Sequence, residues 1–145
     1  MLRNSNKVPG FTLIEVLVVV ALVAILAAIT FIAINPAKNF ADARNAQRSS
    51  DVAEILSAVT QYTSTQGNTL AGLGTIATCP AVTSIGTGGV DLSTTLVDTY
   101  IVGIPTDPSV GTAAVTGYNI CKTATGRVTV AAPNAENGKT ISVKR

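Results

Sequence analysis

Hydrophobic positions are distributed very unevenly along this chain. From position 16 to 34 it reads VLVVVALVAILAAITFIAI, nineteen residues with no charge, no Gly and no Pro. Taken from Phe11, the 24-residue run to Ile34 predicts a helix ~36 Å long at ~1.5 Å per residue. That length crosses a ~30 Å hydrocarbon core. Asn35-Pro36 then predicts a kink or a helix restart, because Pro lacks the N–H donor yet is tolerated in a first helical turn. Beyond it, Val52, Ile55, Leu56, Val59 and Tyr62 recur at helical spacing, with Asp51, Glu54 and Gln61 mostly off that stripe. This predicts an amphipathic helix that ends near Gln66-Gly67-Asn68 and lays its apolar face on a small sheet. Arg48 and Asp51, three apart, are expected to pair weakly on its surface. Residues 67–115 read as loop-rich. Segments 118–123, 127–132 and 140–144 are β-rich, separated by Ala124-Thr125-Gly126 and by a turn containing Asn137-Gly138. They predict an antiparallel meander of three or four strands. The fold class is α+β: one long N-terminal helix, apolar in its first half and covered in its second half by a small sheet.

Composition narrows the chemistry. The chain is 47% hydrophobic but only 12% charged, and it contains no His. His-based triads, acid/base catalysis and metal ligation are excluded at once. Ten Lys/Arg against eight Asp/Glu leave a net charge of +2, of which Arg3 and Lys7 supply two. A body of dilute, balanced charge offers no evident nucleic-acid site. Gly86-Thr87-Gly88-Gly89 lacks the Gly-Lys-Ser/Thr ending of a phosphate loop and reads as a flexible turn. Asp91, Asp98 and Asp107 match no Ca²⁺-loop spacing and read as dispersed turn acids. Ile104-Pro105-Thr106-Asp107-Pro108 reads as a rigid connection before the meander. No nucleophile stands with a base, so no catalytic residue, cofactor or metal ligand is assigned and the chain is read as a non-enzyme. Cys79 and Cys121, with the Thr/Gly-rich body, point to an oxidising exterior for the C-terminal part. The basic count on either side of the apolar run, Arg3 and Lys7 against Lys38, Arg44 and Arg48, does not decide topology.

The N-terminal boundary is the most specific feature. Lys7-Val8-Pro9-Gly10-Phe11-Thr12-Leu13-Ile14-Glu15 places a short basic leader ending in Gly before an apolar helix whose fifth residue is a carboxylate. A secretory signal peptide would have a shorter apolar stretch and no such acid. A plain membrane anchor leaves Gly10 and Glu15 unexplained. The boundary closely resembles the class III signal of type IV pilins and type II secretion pseudopilins. The resemblance is strong over residues 10–34, reasonable to about Thr63 and architectural beyond. It implies cleavage between Gly10 and Phe11 by a prepilin peptidase and N-methylation of Phe11. It also implies polymerisation of the helix into a filament core. Many relatives carry a Gly and a Pro inside this helix, whereas Ala24 and Ile32 stand at about the corresponding places here.

The implied parts are a leader at 1–10, a transmembrane and filament-core helix at 11–34, an amphipathic half at 35–66, and a loop-and-sheet pilin-like domain at 67–145. The implied function is a structural subunit of a type IV pilus-like filament. A type II secretion pseudopilin or minor pilin is the alternative within the class, and a non-polymerising membrane-anchored binding module the alternative outside it. The implied partners are the prepilin peptidase, identical or related pilin subunits in a helical homopolymer, membrane lipid before assembly, and the filament assembly platform. The precursor would sit in the inner membrane with a cytoplasmic leader and an exported C-terminal domain, then move to a cell-surface or periplasm-spanning filament. Glu15 is costly in an apolar helix, and cleavage would create an ammonium on Phe11 four residues away, so the two are expected to pair during assembly. Two cysteines in an exported small domain suggest pairing, and relatives often staple this region with one bridge, so a Cys79–Cys121 disulfide is expected, with two separate buried thiols as the alternative.

Overall fold

The computed structural model describes residues 10–145; residues 1–9, Arg3 and Lys7 and nearly all of the expected leader at 1–10 among them, lie outside the described residues. The chain divides into a first unit that ends at Asn39 and a second, Phe40–Arg145.

In the first unit, α1 (Leu13–Ile34) is one uninterrupted helix, and none of its side chains is buried. At ~1.5 Å per residue its 22 residues span ~33 Å, and by length and composition it is able to cross a membrane. Apart from Glu15, its one polar side chain is Thr30, whose hydroxyl donates to the carbonyls of Leu26 and Ala27 at 3.1 and 2.9 Å. That hydroxyl therefore needs no external partner in an apolar medium. Asn35 closes α1 in the left-handed conformation with φ of 44°. Pro36 then occupies the first position of α2 (Pro36–Ser64), where a missing N–H breaks no hydrogen bond. The helix restarts there.

The second unit carries the sheet. Its order is β1-β2-β3-β4, all antiparallel, with β1 Thr83–Ser84, β2 Asn119–Lys122, β3 Val128–Ala132 and β4 Ile141–Lys144. In β3, Val128, Val130 and Ala132 are buried while Thr129 and Ala131 are half-buried, the period-2 pattern of a sheet with one core face. That face packs with Val52, Ile55, Leu56, Val59 and Tyr62 of α2, and with Leu73, Ile85, Leu92, Leu96 and Tyr118, in one hydrophobic cluster. Between β3 and β4, Asn137 and Gly138 both have positive φ and Lys139 N–H donates to the Glu136 carbonyl. Left-handed backbone at both central positions is what a type I′ turn requires.

Four local readings are corrected by the fold. First, α2 ends at Ser64, slightly before Gln66. Second, residues 67–115 contain a 3-10 turn (Leu70–Leu73), β1 and a short helix α3 (Ser93–Leu96). Third, the Gly86–Gly89 turn is packed. Gly88 N–H donates to the Ala114 carbonyl at 2.9 Å, and a Cβ on Gly89 would collide with the Ser84 carbonyl. Fourth, Arg48 and Asp51 do not pair on the surface. Both are buried, and they point to different partners.

Arg48 donates from Nε and Nη2 to the two carboxylate oxygens of Asp107, at 2.7 and 3.1 Å, with both side chains fully buried. Its Nη1 reaches Asn45 and Glu136, and its Nη2 also reaches Ser109. Arg44 forks onto the same Glu136 at 2.7 and 2.5 Å. Asp51 instead accepts from the Tyr118 hydroxyl and from Gln47. The 105–117 loop holds Asp107 in place, since Ser109 donates both its amide and its hydroxyl to the carboxylate. Gly117 has a left-handed φ of 85°, and a Cβ there would press on the Asp107 side chain at 2.5 Å, so glycine is needed on both counts. Asp107 is thus no dispersed turn acid. It is the anchor of a buried ionic cluster that ties α2 to the connection before the meander.

The charges in that cluster are strongly biased. Hydrogen bonding to the Asp107 carboxylate keeps the Arg48 guanidinium charged despite its burial. Burial opposes ionisation of Asp107, but Arg48 and Ser109 outweigh it and hold the carboxyl well below the usual range. Arg44 and then Arg48 bring Glu136 down to about 2. Burial, followed by the hydrogen bond to Asp51, pushes the Tyr118 hydroxyl well above an ordinary phenol. Among the described residues no buried polar side-chain atom is left without a partner, which is what makes such a cluster tolerable inside a small domain.

Candidate functional site

The residues singled out at the N-terminal boundary come together on the first turn of α1. Thr12 is the N-cap, in extended conformation, and its hydroxyl oxygen accepts from Glu15 N–H at 3.3 Å. In return the Glu15 carboxylate accepts from the Thr12 amide at 2.8 Å and from the Thr12 hydroxyl at 2.7 Å. This is a reciprocal capping box, which satisfies backbone donors that a helix start otherwise leaves open. A carboxylate in the first turn also sits at the positive end of the helix dipole. Glu15 therefore has a local role before any partner arrives. The Thr-x-x-Glu spacing at 12–15 carries that role in the sequence, and reasoning on charge alone does not find Thr12, its partner in the cap.

Gly10 and Phe11 precede the cap outside any helix or strand and are exposed, Phe11 to 90%. The fold does not require glycine at position 10. Among the described residues a Cβ there would meet open space, and its φ is outside the left-handed range.

The two cysteines lie apart from this boundary, in the second unit. Cys79 and Cys121 are joined by a disulfide with Cα atoms 5.3 Å apart, and Cys79 N–H donates to the Lys122 carbonyl at 2.9 Å. The bridge fastens the 74–82 loop to β2. The Asp91 carboxylate, just before α3, accepts from the Ser93 amide at 2.9 Å and from its hydroxyl at 2.5 Å. Asp91, Asp98 and Asp107 do not converge, and among the described residues no three metal-ligating side chains form a group.

The prokaryotic N-terminal methylation motif matches residues 5–31 of this chain. No curated protein and no solved structure matches it. The chain carries the class III prepilin signal of type IV pilins and pseudopilins, and this signal covers residues 5–9, the Gly10–Phe11 junction, the capping box and most of α1. The motif together with α1 fits a membrane-anchored precursor of pilin-like or pseudopilin type, and the signal implies processing by a prepilin peptidase.

Proposed function

We propose that this protein is a structural subunit of a type IV pilus-like filament, inserted as a single-pass precursor, cut between Gly10 and Phe11, N-methylated on Phe11 and polymerised through α1. The observation that carries the reading is α1 itself. Its 22 residues bury no side chain within the chain, yet the helix is apolar on every side. A helix that is apolar all round needs lipid or other helices around it, and the methylation motif at its start belongs to proteins that use both in turn. The exposed Gly10–Phe11 segment, outside any helix or strand, suits entry into a peptidase.

In this reading Glu15 changes partner. In the precursor it closes the capping box; in the mature chain it faces an ammonium on Phe11, of its own helix or of a neighbour. Intact-mass measurement on protein from the native host should give a chain beginning at Phe11 and one methyl heavier than its sequence. A terminus near Ala28 or Ala33 would overturn the proposal. Two substitutions separate the cap from the charge. Glu15→Gln keeps a capping-box acceptor and loses the charge, whereas Glu15→Val loses both. Normal precursor levels, cleavage and few filaments are expected from each. Wild-type filament yield in Glu15→Gln would show that the charge is not used.

A further inference from the structure

The second unit holds seven cations. Arg44, Arg48 and Lys139 are ion-paired, to Glu136, to Asp107 and Glu136, and to Asp42. The other four are Lys122, Arg127, Lys144 and Arg145, and none has a carboxylate partner among the described residues. They are spread over 24 positions of sequence, which is why the charge pattern looks dilute. The sheet gathers them at one end. Lys122 pairs with Val128, and Val128 exchanges backbone hydrogen bonds of 2.8 and 2.9 Å with Arg145, so Lys122 and Arg145 flank Val128 on one face. Lys144 pairs with Thr129, two residues from Arg127, which makes Arg127 and Lys144 diagonal neighbours on the other face. Arg127, Lys144 and Arg145 are exposed and Lys122 is half-exposed. No Asp or Glu occurs in 108–135 or 137–145. Even with a terminal carboxylate on Arg145 counted against them, the cations predominate.

Neighbouring like charges on a sheet are unfavourable, so this end of the fold calls for an external anion. We infer that it binds the phosphodiester backbone of duplex nucleic acid, without reading bases. The connecting turn, Ala124-Thr125-Gly126, has no aromatic side chain to stack on unpaired bases. Nor does it carry the Trp, Phe or Leu that would anchor it in a lipid interface. A second copy is a poor match, because among the described residues Glu54 and Asp98 are the two acids of this unit whose carboxylates no ion pair or hydrogen bond engages. Four phosphate contacts predict a slope of log K against log salt of about −3.6, a roughly 150-fold loss of affinity between 50 and 200 mM salt.

The test uses the full chain in nanodiscs of neutral phosphatidylcholine, with anisotropy of a short fluorescent duplex of mixed sequence. The wild type should show that salt slope. Lys122→Gln/Arg127→Gln/Lys144→Gln/Arg145→Gln should lose binding, while Lys139→Gln should retain it. The Lys/Arg-swapped variant K122R/R127K/K144R/R145K should bind like wild type, which separates charge from folding. Three results would each overturn the inference: no binding at 50 mM salt, equal binding by the quadruple Gln variant, or tighter capture by phosphatidylglycerol vesicles than by the duplex.

Discussion

Removing the carboxylate of Asp107 should be the most damaging single truncation in the second unit. Asp107→Ala takes two charge-assisted hydrogen bonds from Arg48 and strands the amides of Ser109 and Val110. Arg48 keeps Asn45, Ser109 and the half-exposed Glu136, but its guanidinium remains fully buried beside an empty place. Breaking one side of a fully buried pair costs about 3–5 kcal/mol. For a domain of this size ~1 kcal/mol is worth ~4 °C, so the midpoint should fall by ~12–20 °C. All three tyrosines, Tyr62, Tyr100 and Tyr118, lie in this unit. Near-ultraviolet circular dichroism of the full chain in nonionic detergent therefore reports its unfolding apart from α1.

The double change Arg48→Met/Asp107→Leu should cost less than the two single changes added together, since no buried charge is then left alone. The pH dependence has a definite sign. Asp107 and Glu136 are both held below their ordinary range in the fold. The stability they contribute is thus complete above about pH 5 and is lost as pH falls toward 2. In Asp107→Ala the acid limb should be shallower, and the gap to wild type should close at low pH. A loss below ~1 kcal/mol at neutral pH, a size typical of exposed pairs, would refute the argument that this cluster locks α2 to the 105–117 loop.

Tyr118→Phe should cost about 1–3 kcal/mol, because Asp51 stays buried with Gln47 as its remaining side-chain donor. It should also remove a loss of stability above pH 10: the Tyr118 hydroxyl is raised in the fold, so its contribution holds below the unfolded value and disappears as pH climbs past it. Reducing Cys79–Cys121, which closes a separation of 42 residues, should lower stability by up to ~4 kcal/mol on chain-entropy grounds; thermal melts with and without reductant check it, and equal midpoints would refute it.

What was legible in the sequence follows from what hydrophobic periodicity can report. The apolar run of α1, the stripe from Val52 to Tyr62 and the strands around Ile120, Val130 and Val143 are all repeats of apolar side chains, and the structure places each in the element expected. The same stripe on α2 continues toward its N-terminus as Asn45, Arg48 and Asp51, spaced three apart and all buried. A pattern reading stops where the stripe turns polar, so a surface pair was expected in place of the cluster. The partner Asp107 lies 59 residues from Arg48, and no local signal joins them. The capping box at Thr12 and Glu15 is different. It was written in four consecutive residues and was missed because Glu15 was weighed as a charge in a membrane and not as a hydrogen-bonding end to a helix.

That cap bears on how α1 would leave a bilayer under the filament proposal. Lipid tails are as apolar as Leu and Val side chains, so moving α1 from lipid to a bundle of identical helices gains little from the hydrophobic effect. Every large apolar residue of α1 is exposed in the single chain, and either environment would cover them about equally well. Register and direction must then come from polar groups, and in α1 these are few. Thr30 is closed on its own backbone. Glu15 is closed on Thr12 while residues 1–10 are still attached. Cleavage after Gly10 would change this one place, by adding an ammonium next to a carboxylate that already sits at a helix N-terminus. The precursor would be content in lipid, and only the processed chain would present a charge pair to order its neighbours.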